Sequence, residues 1–129
     1  MRETEFVPFR EGIESGIQVI MAGHISAPSV TEDELPASLS YKMITEILRE
    51  ELGFDGVIIT DAMNMGAITE KYSSSEAAVK AIEAGCDMIL MPENFEEAYQ
   101  GVLDSVRQGR LTEERINQSV MRILEIKDF

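Results

Sequence analysis

The chain has 129 residues, with 24 Asp and Glu against 11 Lys and Arg, a formal net charge of −13. That balance excludes a nucleic-acid groove binder and a basic membrane-surface segment, which need clustered cations, and no apolar run approaches the roughly 20 residues of a membrane helix. At 44% hydrophobic the chain can bury a core, while one cysteine, Cys86, and one histidine exclude an internal disulfide and argue against a zinc site.

In chain order, Thr4 to Ser15 places Phe6, Phe9 and Ile13 at helical spacing, and Gly16 ends that helix. Ile17 to Met21 is short, apolar and β-branched and reads as a buried strand. The loop from Gly23 to Ala37 exceeds an ordinary connection, a length more common in functional loops than in idle ones. Ser40 caps a second helix whose apolar face is Met43, Ile44, Ile47, Leu48 and Leu52, and Gly53 ends it. Gly56 to Thr60 is the second strand, followed by a loop with a helical turn as far as Lys71. Ser74 or Ser75 caps the next helix, which carries Ala77, Ala78, Ala81 and Ile82 on one face and stops at Gly85. Met88 to Met91 is the third strand. A helix from Phe95 to about Arg107 stops at Gly109, and a last one opens at Thr112 with Arg115 where a capping box would carry an acid.

A repeat runs through this order. Gly16, Gly53 and Gly85 each end a helix and lead directly into a strand, at spacings of 37 and 32 residues. Such spacing suits successive βα units, in which a helix returns the chain to begin a parallel neighbour. The strands are apolar throughout, which predicts cover on both sheet faces. The fold class is therefore α/β with parallel βα units. Eight residues beyond each glycine stand His24, Asp61 and Glu93, just past the carboxyl ends of the strands. In α/β folds that rim binds ligands.

Asp61 is the foremost candidate, because it delivers a charge where the apolar Val57–Ile58–Ile59–Thr60 run ends. The alternative is a carboxylate that caps the following turn. His24 can orient a ligand or a carboxylate near neutral pH, or be a rim histidine bonded to backbone. Glu93 reads as first-turn acid of the next helix. Met63, Met65, Met88 and Met91 near strand ends either line a pocket or fill core. The runs Thr31–Glu34 and Glu93–Glu97 read as solvated faces, without calcium-loop spacing, and no phosphate-binding loop is present. No metal or cofactor is expected.

The stretch Gly53-Phe54-Asp55-Gly56-Val57-Ile58-Ile59-Thr60-Asp61-Ala62-Met63-Asn64-Met65-Gly66-Ala67-Ile68 resembles the nucleophile segment of glycoside hydrolase family 3, most closely its β-N-acetylhexosaminidase branch. Pro8-Phe9-Arg10 with Val19 to Ile25 looks like the sixth βα unit of that family's catalytic domain. Pro36-Ala37-Ser38-Leu39-Ser40 resembles its step into the next helix, and Ala84 to Pro92 its eighth strand. Leu111 to Ile116 and the helix that follows resemble the end of that domain. The resemblance implies one partial domain over 1–129, the last three βα units of a TIM-type (β/α)8 barrel.

It also implies a retaining β-glycosidase, β-N-acetylhexosaminidase- or β-glucosidase-like, with Asp61 as nucleophile and a carbohydrate substrate near Met65 and His24. A rim carboxylate can attack an anomeric carbon and form a glycosyl-enzyme that water then cleaves. In the hexosaminidase branch the acid/base is a histidine held by an aspartate, on a loop before the matching segment. His24 is not that histidine, because its neighbours match the following strand. The 129-residue piece is therefore expected to be inactive alone. Three parallel strands cannot close a barrel, so the piece is expected to self-associate or to pair with the missing barrel portion. Location stays open between cytoplasm and export, because Met1 to Arg10 shows no apolar signal core. Two alternatives stand beside this: a phosphoacceptor receiver domain with Asp61 as acceptor, and a non-catalytic interaction module derived from a barrel.

Overall fold

The computed structural model describes residues 7–23, 35–64 and 66–127. Helix α1 (Val7–Glu14) leads to strand β1 (Val19–Ala22). A turn of 3-10 helix (Ala37–Leu39) and a π-helix (Lys42–Glu51) precede strand β2 (Val57–Thr60). Four helices complete the order: α2 (Gly66–Thr69), α3 (Ser74–Ala84), α4 (Phe95–Arg107) and α5 (Glu113–Lys127).

β1 and β2 are parallel and adjacent, in the register Val19↔Val57, Ile20↔Ile58, Met21↔Ile59, Ala22↔Thr60. The α/β class and the parallel connection are as the glycine repeat predicts. Side chains alternate across a sheet, so Ile20, Ala22, Ile58 and Thr60 share one face. That face is buried, with Ile20, Ala22 and Ile58 in one cluster with Ile44, Leu48, Phe54 and Ala81. Phe54, from the Gly-Phe-Asp step, is only 1% exposed and plugs the base of β2.

Two expectations are corrected here. The third strand is not a strand: among the described residues it is a single parallel bridge, Ile59↔Met88. Residues 87–90 do run beside β2, with the Met88 N–H donating to Ile58 O at 3.2 Å and the Thr60 N–H to Met88 O at 3.0 Å. The Leu90 N–H then turns to the Thr60 hydroxyl at 3.1 Å. Met91, at φ 45°, breaks the extended run. No described neighbour lies beyond this segment to hold it flat. The second correction concerns cover. β1 is buried on one face only, with Val19 47% and Met21 53% exposed. Met88, which pairs with Ile59 on that same outer face, is exposed too. The helices cover one side of the sheet; on the other side β2 is covered, with Val57 buried and Ile59 half-buried, while β1 and Met88 are open.

Local chemistry sets the helix ends. Ser40 Oγ accepts the Met43 N–H at 3.2 Å, as a cap should. The helix it starts is wound wider than predicted: the Leu52 N–H reaches back five residues to Ile47 O at 2.8 Å. The cap of α3 is Ser73, not Ser74 or Ser75; its hydroxyl accepts the Glu76 N–H at 3.2 Å and donates to the Glu76 carboxylate. Ser74 instead accepts the Asn94 N–H at 2.9 Å and ties the start of α4 to the start of α3. Asn94 and Thr112 cap α4 and α5.

At Gly85 the chain turns out of α3 with φ 121°, while the Gly85 N–H bonds Ile82 O and the Cys86 N–H bonds Ala81 O. This paired closure needs a left-handed residue. A Cβ there would also lie 2.5 Å from Thr45 Oγ1, so the glycine is required twice. Gly101 serves close approach instead: a Cβ on it would stand 2.3 Å from Ser75 Cβ, which lets α3 and α4 pack backbone to backbone.

Candidate active site

Asp61 emerges directly after β2, at the carboxyl end of the sheet, and is partly buried. Its peptide is fixed on both sides. The Asp61 N–H donates to Ala22 O at 2.8 Å, extending the ladder with β1, and the Met63 N–H donates to Leu90 O at 2.8 Å. One carboxylate oxygen, Oδ1, accepts the Ala62 N–H at 2.8 Å. By strand alternation Asp61 continues the row of Val57 and Ile59, the face that carries exposed Val19, Met21 and Met88. A carboxylate oxygen acceptor thus stands at the rim of a partly exposed apolar face. Such a group can accept a hydrogen bond, hold a cation or attack an electrophilic carbon.

The other predicted site residues fare differently. His24 and Met65 lie outside the described residues. Glu93 is exposed and borders a polar recess of about 580 Å³ with Lys71, Tyr72, Ser74, Asn94 and Glu97. No described hydrogen bond brings it to Asp61. It precedes the Asn94 cap of α4, consistent with a first-turn acid.

Sequence reading passed over a second carboxylate. The Asp87 side chain is fully enclosed at the amino end of the 87–90 segment, the end of the sheet opposite Asp61. Its Oδ2 accepts from Arg49 and, at 3.0 Å, from the Ile58 N–H. Its Oδ1 accepts the Ser119 hydroxyl at 2.6 Å and Arg122 Nη1 at 2.9 Å. Arg49 also donates to Gly56 O at 2.6 Å, and Arg115 to Ile82 O at 3.1 Å and Cys86 O at 2.8 Å. Burial lowers the pKa of Arg49 and of Arg115, opposed in each case by the Asp87 charge. Two signals were available. The repeat places an aspartate two residues after Gly53 and after Gly85, and Arg115 occupies a helix position that favours acids. Beside this lattice the Cys86 thiol donates to Ser38 O at 3.4 Å, and burial pushes its pKa up to about 12.

The arrangement is similar to known proteins. Residues 1–126 match the family model described as the glycosyl hydrolase family 3 N terminal domain. The chain is 32% identical over 130 residues to a beta-N-acetylglucosaminidase/beta-glucosidase of Cellulomonas fimi, covering 94% of this chain and 23% of that protein. Among solved structures, a glycoside hydrolase family 3 beta-N-acetylglucosaminidase from Paenibacillus sp. str. FPU-7 superposes with a TM-score of 0.93 at 44% identity, over 96% of this chain and 24% of that one. A beta-glucoside phosphorylase, BglX, superposes with a TM-score of 0.92 at 32% identity, over 98% of this chain and 24% of that one. The chain thus spans about a quarter of the length of each of these relatives. The match along residues 1–126 is to a glycosidase family and sets the receiver-domain alternative aside.

Proposed function

Because the chain belongs to the glycosyl hydrolase family 3 N-terminal domain family, we propose that it supplies the last three βα units of a (β/α)8 barrel and, with Asp61, the nucleophile of a retaining β-glycosidase. The observation that carries this reading is the position of Asp61: a carboxylate past the end of a buried strand, its N–H bonded to Ala22 and that of Met63, two residues on, to Leu90. A nucleophile must hold its geometry through the reaction, and both anchors are backbone bonds that no side-chain motion disturbs.

In the proposed reaction an Asp61 carboxylate oxygen forms a bond to the anomeric carbon as the glycosidic C–O bond breaks. The leaving oxygen takes a proton from an acid/base on the remaining units, about 5 Å away. Water, deprotonated by the same group, then cleaves the glycosyl ester, frees Asp61 and leaves the sugar with its original anomeric configuration. The Ala62 N–H holds Oδ1, which leaves Oδ2 to attack. The names of the relatives favour β-linked N-acetylglucosaminides or glucosides as substrates. A phosphorylase among the neighbours makes the acceptor, water or phosphate, a matter for product analysis.

The test uses the assembled enzyme. Treatment with a 2-fluoro-glycoside that stalls deglycosylation is expected to add one sugar mass to the peptide containing Asp61. Asp61→Asn is expected to abolish that adduct and turnover together. A labelled peptide elsewhere, or normal turnover in the variant, would refute the assignment.

A further inference from the structure

At the amino end of the sheet, a cleft of about 210 Å³ opens between the π-helix, the end of α3 and α5. Arg49, Arg115 and Arg122 line it, together with Tyr41, Gln118 and Glu83. Gathering three guanidiniums is unusual in a chain with 11 Lys and Arg against 24 acids. Their charges are not balanced where they meet. Glu83 is held bidentately by Arg110 at 2.8 and 2.9 Å, so it neutralises a cation outside the cleft. Counting the Arg110–Glu83 pair as neutral, Asp87 is the one carboxylate set against the three guanidiniums among the described residues, an excess of two positive charges.

The donors are unequally used. Arg49 and Arg115 spend theirs on Asp87, on Ser119 and on the carbonyls of Gly56, Ile82 and Cys86. Arg122 makes one hydrogen bond among the described residues, through Nη1 to Asp87, and its side chain is 26% exposed. Its remaining N–H groups are free to face the cleft. Gln118 is exposed at the mouth, one helical turn before Arg122.

We propose that this cleft is a binding site for a phosphate-type dianion, received by Arg122 and Gln118 above the Asp87–Arg49–Arg115 lattice. Guanidinium groups favour planar, paired recognition of phosphate oxygens. A dianion matches the charge excess. The cleft exceeds the roughly 30 Å³ share of one water several-fold, so a tetrahedral oxyanion fits. The proposal does not depend on the role assigned to Asp61.

The probe is inorganic phosphate, titrated into the enzyme assembled from this chain and the remaining barrel units, at constant ionic strength made up with chloride. The melting midpoint is expected to rise and saturate, because a ligand that binds only the folded state stabilises it by mass action. The phosphorus NMR line is expected to broaden over the same range. Arg122→Gln is expected to weaken phosphate binding about tenfold or more, as loss of a charge-assisted bond should. Gln118→Glu, on an exposed position that folding does not need, is expected to weaken it similarly while leaving the midpoint in chloride unchanged. A phosphate response without saturation, or one equal in Gln118→Glu, is a general salt effect and overturns the site. An equal response to acetate overturns the dianion assignment.

Discussion

Asp55 and Asp87 show where residue-level reading stops. Each stands two residues beyond a helix-ending glycine, yet Asp55 is exposed and the Asp87 side chain is enclosed by two arginines, a serine and a backbone N–H. Burial of a charge depends on partners far along the chain, and spacing alone cannot reveal them. Asp61 was legible because its position rests on strand register, a local property. Removing the Asp87 charge leaves cations buried without a partner, so Asp87→Asn is expected to cost about 3–5 kcal/mol, read as a shift in the urea midpoint. Cys86 gives a pH prediction. Its thiol ionises near 9.0 unfolded and at about 12 folded. Its contribution is whole below the lower value and is lost as pH climbs to the upper one. Stability is therefore expected to fall between those values, and less steeply in Cys86→Ala. Thiol reagents are expected to label Cys86 only on unfolding, because the thiolate is the reactive form.

At the scale of elements, the helices were legible because their signals are local. Ser40, Asn94 and Thr112 each accept an N–H three residues on. What escaped was set by packing. The π-helix stacks Ile44 and Leu48 in the main core and sets Ile47 in a second row, with Met43 and Leu52 touching both. The five-residue step from Ile47 to Leu52 belongs to a wider turn than the ordinary helix, a difference a short apolar pattern hides. The third strand was read from its apolar composition, but a strand needs a neighbour as well as a sequence. Two substitutions test the element ends. Gly85→Ala meets both a left-handed backbone and Thr45 Oγ1, and is expected to destabilise by about 2 kcal/mol or more in a thermal melt. Ser73→Ala removes the α3 cap and is expected to cost about 1 kcal/mol.

For the molecule as a whole, the exposed part of the outer sheet face governs behaviour. Val19, Met21 and Met88 meet water there, and β1 has one free edge among the described residues. Apolar faces with unpaired backbone edges drive association. The chain alone is expected to sediment with a mass that rises with concentration, to bind an apolar dye and to lack turnover. A compact monomer with a cooperative melt at micromolar concentration would contradict this. Mixing with the remaining barrel units is expected to suppress both association and dye binding.

The two backbone bonds that clamp the Asp61 segment have a consequence for diversification. The Asp61 N–H is held by Ala22 and the Met63 N–H by Leu90, whereas the residues from Asn64 onward take no part in either bond. Ile68, in the stretch that follows, is buried in the same core cluster as Met63 and Ile58, so that stretch is anchored by side-chain packing instead. Exchanging the exposed Asn64, Glu70 and Lys71 for those of a sister sequence, with Ile68 kept, is expected to leave the proposed nucleophile where it stands, much as a drill bit is changed while the chuck stays fixed.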